Sequence, residues 1–129
     1  MSRIEITGNL AADPEYALGK DSSRPYSRFT VIVNYRTKNP DDGTWTDGGR
    51  VGYRVVVFDQ LADNVTNSLR KGDRVHVTGD YTVRDYQTAD GGRGASHEIR
   101  NATVGVSLDY ATATLTRNAK PATADQPTS

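Results

Sequence analysis

Between Tyr53 and Tyr86 the chain reads YRVVVFDQLADNVTNSLRKGDRVHVTGDYTVRDY, and no other stretch restricts the possible folds as strongly. The nearly unbroken β-branched and aromatic run from Tyr53 to Phe58 predicts a strand buried on at least one face. Leu61, Val65 and Leu69 follow at i, i+4 and i+8, which predicts a helix over residues 60–70 with one apolar side. Gly72 is placed to end it. Asp73 to Val83 then alternates Val75, Val77, Tyr81 and Val83 with polar neighbours, the two-residue period of a half-buried strand. Strand, helix, tight turn and strand in this order predict a sheet wrapped around a single capping helix.

The flanking segments extend that plan. Arg3 to Leu10 alternates Ile4 and Ile6 with polar residues and predicts the first strand, and Phe29 to Tyr35 predicts the second. Ala11 to Ser27, with Pro14, Gly19 and Pro25, reads as a loop. Asn39-Pro40-Asp41-Asp42-Gly43 is turn chemistry, so a long hairpin tip is expected before the third strand resumes at Arg50. A second tip falls at Ala89-Asp90-Gly91-Gly92, and Glu98 to Tyr110 predicts the returning strand, with Val104, Val106 and Leu108 on one face. Five strands with one short helix between the third and fourth is the order of an all-β OB-fold, a five-stranded Greek-key barrel. That domain is assigned to residues 1–110. From Ala111 the chain turns to Ala, Thr, Pro, Gln and Asn, and residues 111–129 are predicted to be a disordered polar tail.

With 129 residues the chain suits one domain. Hydrophobic content of 35% and a mean hydropathy of −0.67 are low, which leaves room for burial completed by association. The absence of cysteine excludes a disulfide framework and a thiolate zinc site and agrees with a reducing compartment. No apolar run is long enough to cross a bilayer, and the N-terminus carries no signal-peptide pattern, so a soluble cytoplasmic protein without a membrane partner is expected. Sixteen Lys and Arg balance sixteen Asp and Glu. Placement then matters more than the total. Asp41, Asp42, Asp47 and Asp90 fall in expected turns, whereas Arg3, Arg28, Arg54, Arg74 and Arg84 fall in or beside strands, which permits a basic groove.

A single-stranded nucleic acid requires cations spaced for its phosphates and flat side chains for its unpaired bases. Tyr35, Trp45, Phe58 and Tyr86 supply the rings, interleaved with Arg36, Lys38, Arg54, Arg84 and Arg93, and the strand-borne Arg3 joins the set. Strand parity puts Gly52, Arg54, Val56 and Phe58 on one face and Tyr53, Val55 and Val57 on the other; a face bearing Arg54 is not a dry interior, so Arg54 and Phe58 are assigned to the nucleic-acid side. Burial at a strand end is the competing reading for Phe58. Trp45, the only tryptophan, lies in the polar segment DDGTWTDGG, where stacking on a base competes with packing on the hairpin stem. Tyr35 is either a stacker or the last core layer. His76 and His97 sit in separate strands without a metal-ligand pattern, and Gly91-Gly92-Arg93-Gly94 lacks the phosphate-loop spacing. No catalytic constellation and no cofactor are expected.

The residues quoted above resemble the bacterial single-stranded DNA-binding proteins. Arg54 to Phe58, Leu61-Ala62, Leu69 to Gly72 and Val75 to Gly79 are similar to that family's R-V-V-x-F, L-A, L-R-K-G and V-x-V-x-G segments, and Gly8-Asn9-Leu10 with Asp13-Pro14-Glu15 to its G-N-L-x-x-D-P-E signature. Glu98 to Leu108 resembles its closing strand, so the likeness runs through residues 3–110. The resemblance implies sequence-nonspecific binding of single-stranded DNA in replication, recombination or repair, a homotetramer associated with the nucleoid, and phosphate contacts from Arg70 and Lys71. Those two residues also suit a helix C-terminus without any ligand. The family's tryptophans correspond to Thr37, Gly52 and Tyr86 and a nearby lysine to Asp85, which implies fewer strong stackers. Gln126-Pro127-Thr128-Ser129 lacks the family's acidic tip, so enzyme partners that dock there are not expected. Two other readings stand: an OB-fold assembly module with weak nucleic-acid binding, and an RNA- or oligosaccharide-binding domain.

Overall fold

The structure, a computed structural model, describes residues 2–21 and 23–119. Its elements are β1 (Ser2–Leu10), β2 (Glu15–Leu18), β3 (Pro25–Lys38), β4 (Trp45–Phe58), α1 (Asp59–Ser68), β5 (Arg74–Gln87) and β6 (Arg93–Val106). The sheet order is β1-β5-β6-β4-β3-β2, and a further β1–β3 pairing closes the five long strands into a barrel. This is the predicted OB-fold, with β2 added outside the closed ring.

Alternation builds the interior. Phe29 and Val31 of β3, Tyr53, Val55 and Val57 of β4, Val75 and Val77 of β5, and Ile99 of β6 all point inward and are buried. Each such side chain taken fully from water contributes about 1.5–3 kcal/mol before chain ordering is subtracted. Ala62 and Val65 of α1, with Leu69 just beyond it, join the same core from one end. Closure depends on Gly8, since a Cβ there would overlap the Ile32 carbonyl where β1 crosses to meet β3 at Asn9 and Leu10.

Two irregularities orient the outer ends. In β5–β6 the pairing steps from Thr78↔Thr103 to Asp80↔Arg100, so β6 holds one extra residue, and Asn101 there has φ 52°. The bulge shifts β6 parity: Ile99 faces in before it and Ala102 after it. In β3–β4 the step from Asn34↔Arg50 to Arg36↔Asp47 places an extra residue on β4, beside Gly49 at φ 105°.

Several boundaries differ from the sequence-based expectation. The segment 11–27 is not all loop, because Glu15–Leu18 pairs with Pro25–Arg28 and starts β3 early. Pairing across the first hairpin resumes at Trp45 rather than Arg50, because the turn needs only residues 39–44; Asn39 N–H donates to the Thr44 carbonyl at 2.7 Å. The helix stops at Ser68, and Gly72 at φ 91° serves the turn into β5. β6 runs from Arg93 to Val106; Val83, on the far half of β5, and Val106 and Leu108, at and beyond the end of β6, are exposed, and the closing strand buries Ile99 and Ala102 instead. Residues 111–119 carry no regular secondary structure, although Asn64 Nδ2 donates to Asn118 Oδ1 at 3.0 Å. The rest of the predicted disordered tail, including the Gln126–Ser129 terminus, lies outside the described residues.

Candidate functional site

Residues directly opposite in an antiparallel pair share a face, so the β3–β4 register defines one outer surface. On β3 it presents Tyr26, Arg28, Thr30, Ile32, Arg36 and Lys38; on β4 their partners include Phe58, Val56, Arg54, Gly52 and Trp45. The extra residue near Gly49 is what brings Trp45 onto the face of Arg54 and Phe58. From Phe58 to Trp45 the strand covers roughly 40 Å at its usual rise. The parity that assigned Arg54 and Phe58 to the outside agrees with the buried Tyr53, Val55 and Val57 between them.

β6 lies parallel beside β4, with Arg54 opposite Glu98, and β5 beside β6, with Arg84 opposite Ser96 and Tyr86 opposite Gly94. Arg28, Arg54, Arg84, Arg100 and Glu98 therefore line one shallow depression of about 200 Å³. Glu98 is only 15% exposed and lies 3.9 Å from Arg84 Nη2. Arg28 pairs with Glu15 at 3.2 Å, whereas Arg54 and Arg100 have no ion pair among the described residues. A locally cationic strip thus exists on a chain of zero formal net charge.

The rings differ in setting. Trp45, 61% exposed, begins β4 at the tip of one arm. Tyr86, exposed on the other arm, lies against Gly94, where an added Cβ would come within 2.6 Å of the Tyr86 hydroxyl. Phe58 is half-buried, with Tyr26 at 6.4 Å between centroids and the Arg24 guanidinium carbon 4.4 Å from its own. Tyr35 faces the other way. Its hydroxyl shares a 2.8 Å hydrogen bond with that of Tyr53, so it closes the core layer while its ring stays partly exposed. Burial, and then the Tyr35 bond, pushes the Tyr53 phenol above its ordinary range. Tyr81 stacks on His97 and bonds its Nδ1 at 2.6 Å, and His76 Nδ1 bonds Thr7 Oγ1 at 2.7 Å on another part of the sheet.

Arg36, Lys38, Trp45, Arg54, Phe58, Arg84 and Tyr86 are therefore gathered on one outer surface. Arg93, opposite Gln87, falls on the other side of its arm with respect to Tyr86. Arg3 is held by Asp80 at 3.0 Å, across β5 from the strip. Arg70 folds its guanidinium onto the carbonyls of Thr66 and Leu69, at 2.8 and 2.7 Å, and Lys71 N–H donates to Asp13. Both lie at the opposite end of α1 from Phe58. A larger hollow of about 950 Å³ lies near that end, bounded by Asn64, Arg74 and the returning chain at 106–118, and it meets none of the strip.

Sequence reasoning missed Arg24, Tyr26 and Arg100 as members of this surface and placed Arg28 only among the strand arginines that permit a basic groove. Arg28 was legible from parity with Phe29 and Val31. Arg100 was hidden by the bulge at Asn101, and Arg24 by its place in an expected loop.

The model of the single-strand binding protein family matches residues 1–107. The single-stranded DNA-binding protein of Mycolicibacterium smegmatis is 35% identical over 114 residues, 88% of this chain and 68% of that one. That of Bifidobacterium longum is 39% identical over 115 residues, 88% of this chain and 52% of its own length. The chain thus spans between half and about two thirds of these curated relatives. Among solved structures, the small single-stranded DNA-binding protein of Streptomyces coelicolor superposes with a TM-score of 0.68 at 32% identity, covering 83% of this chain and 94% of that one. A Plasmodium falciparum SSB in complex with ssDNA, at TM-score 0.63 and 22% identity over 81% and 92% of the two chains, shares the fold.

Proposed function

This chain belongs to the single-strand binding protein family, and from that premise we propose that it binds single-stranded DNA without strict sequence preference and catalyses no bond chemistry. The observation that carries this reading is the outer surface itself: Arg28, Arg54, Arg84 and Arg100 grouped between arms that end in Trp45 and Tyr86. The guanidinium groups meet phosphates, and the ring faces accept unpaired bases at about 1–3 kcal/mol each regardless of base identity. Phe58, Arg36 and Lys38 extend the track along β3–β4. Tyr35 contributes its exposed edge; Arg3, Lys71 and Arg93 are peripheral phosphate contacts for DNA passing to neighbouring surfaces, while Arg70 serves the helix end first.

The active form is a homotetramer, in which DNA crosses several subunits and modest contacts multiply. The protein acts in the cytoplasm, at the nucleoid, protecting exposed strands in replication, recombination or repair. No helix among the described residues is long and apolar enough to cross a membrane.

Titration of Trp45 fluorescence with oligo(dT), at two salt concentrations and with the mass followed by light scattering, tests the reading. Saturable quenching that weakens as salt rises is the expected result. No quenching and no comigration with DNA would instead favour the assembly-module reading, to which Gly52, a bare position in the middle of the strip, lends itself.

A further inference from the structure

At the junction of β4 and α1 a cation, a ring and a carboxylate are assembled from separate elements. Arg24, just before β3, places its guanidinium carbon 4.4 Å from the Phe58 ring centre. Asp59 grips the same guanidinium: Nε donates to both carboxylate oxygens at 3.0 Å, and Nη2 donates to Oδ2 at 2.9 Å. Asp59 adopts φ 59°, a left-handed conformation uncommon outside glycine that persists where the surroundings hold it. The ion pair is half in solvent, at 53% and 55% exposure, and so contributes little to folding. Folding alone therefore gives a poor account of a bidentate grip and a covered ring at one place on the outer surface.

We propose that Arg24 is a base-stacking residue of the nucleic-acid site: its guanidinium, laid on Phe58 and fixed in orientation by Asp59, is the surface on which an unpaired base rests. The inference builds on the single-stranded DNA reading above and names a contact within it. A guanidinium is flat, stacks on rings and bases through its face, and keeps its charge for the adjoining phosphate. Stacking on Arg24 breaks none of its bonds to Asp59, whereas a base reaching bare Phe58 would have to break three hydrogen bonds and the ring contact. Tyr26, at 6.4 Å from Phe58, flanks the ring on the outer face and leaves the guanidinium as its cover. Asp59 is a positioning residue. It touches Arg24 and holds the plane.

The test measures the affinity of wild type, Arg24→Ala, Arg24→Lys and Asp59→Asn for oligo(dT) and for an abasic deoxyribose-phosphate oligomer of the same length, with melting curves as a check on folding. Arg24→Ala is expected to weaken oligo(dT) binding about five- to tenfold. Arg24→Lys keeps the charge and loses the plane, so it should weaken oligo(dT) binding by at least about threefold yet match wild type on the abasic oligomer. Asp59→Asn should fall between wild type and Arg24→Ala. Wild-type affinity for oligo(dT) in Arg24→Lys would overturn stacking in favour of charge alone. Tighter binding by Arg24→Ala would overturn it in favour of a cover that competes with the base. A wild type that binds neither oligomer would defeat the DNA reading and this inference together, which separates that failure from the other two.

Discussion

Tyr53 carries its hydroxyl into a position that is otherwise core, and the Tyr35 hydroxyl makes burial tolerable by sharing its hydrogen bond. Deleting the partner atom by Tyr53→Phe should change stability by about 1 kcal/mol, read from denaturant melts. The same environment raises the Tyr53 pKa, so the fold favours the neutral phenol. Its contribution is complete below the ordinary tyrosine range and is lost as pH rises from there towards the folded value. Ultraviolet alkaline titration should therefore show a late-ionising phenol whose ionisation accompanies unfolding and which is missing from Tyr53→Phe. Asp80 behaves in the opposite sense. Asn101 Nδ2 bonds its carboxylate and, with Arg3 and against the opposing effect of desolvation, holds its pKa below the ordinary value. That contribution is present above the ordinary carboxylate range and disappears as pH falls through the folded value, so melting temperature should drop on acidification less steeply in Asp80→Asn than in wild type. At this scale much was legible: parity set Arg54 and Phe58 on the face opposite Tyr53, Val55 and Val57, and those three are the ones buried. Tyr35, which the sequence allows as either stacker or core, bonds Tyr53 through its hydroxyl while its ring stays partly exposed, so ring and hydroxyl meet different environments.

The β3–β4 and β5–β6 hairpins are long enough to leave the barrel as arms, and their bulges decide which residues share a face. Alternation places a side chain only while the period of two holds. Gly48 and Gly49 interrupt it on β4 and Asn101 interrupts it on β6, so the positions of Trp45 and Arg100 could not be read from neighbours alone. Gly94 offers an element-level test: any Cβ there collides with the Tyr86 ring, so Gly94→Val should displace Tyr86 and weaken oligo(dT) binding several-fold while the barrel melts nearly as before. The arginine strip offers another. Arg54→Ala and Arg84→Ala should each lower the slope of log affinity against log salt by about 0.7, the value for one phosphate contact to a single strand, whereas a substitution that alters only stacking should leave the slope unchanged. Arg70→Ala, by contrast, should disturb the helix end first, because its guanidinium is occupied by the carbonyls of Thr66 and Leu69.

For the molecule as a whole, the balance of sixteen positive and sixteen negative residues conceals a segregated surface, and the segregation arises because strands distant in sequence present their arginines to one side. If subunits complete their burial by association, the melting temperature should rise with protein concentration, and light scattering should report a tetramer whose mass is unchanged by Arg54→Ala. A concentration-independent melt at monomeric mass would remove the oligomer from the proposal. What the sequence by itself determined was the order of the five long strands and the helix, the inward residues of β3, of the second half of β4 and of the start of β5, and the barrel they build, because periodicity and turn chemistry act between residues a few positions apart. What only the tertiary structure decided was the short β2, the pairing across both arms, and the meeting of Arg24 with Phe58 and Asp59 and of Arg28 with Arg54, Arg84 and Arg100. Those contacts depend on register, bulges and barrel closure, which are set by burial of the core as a whole and leave no local pattern in the chain.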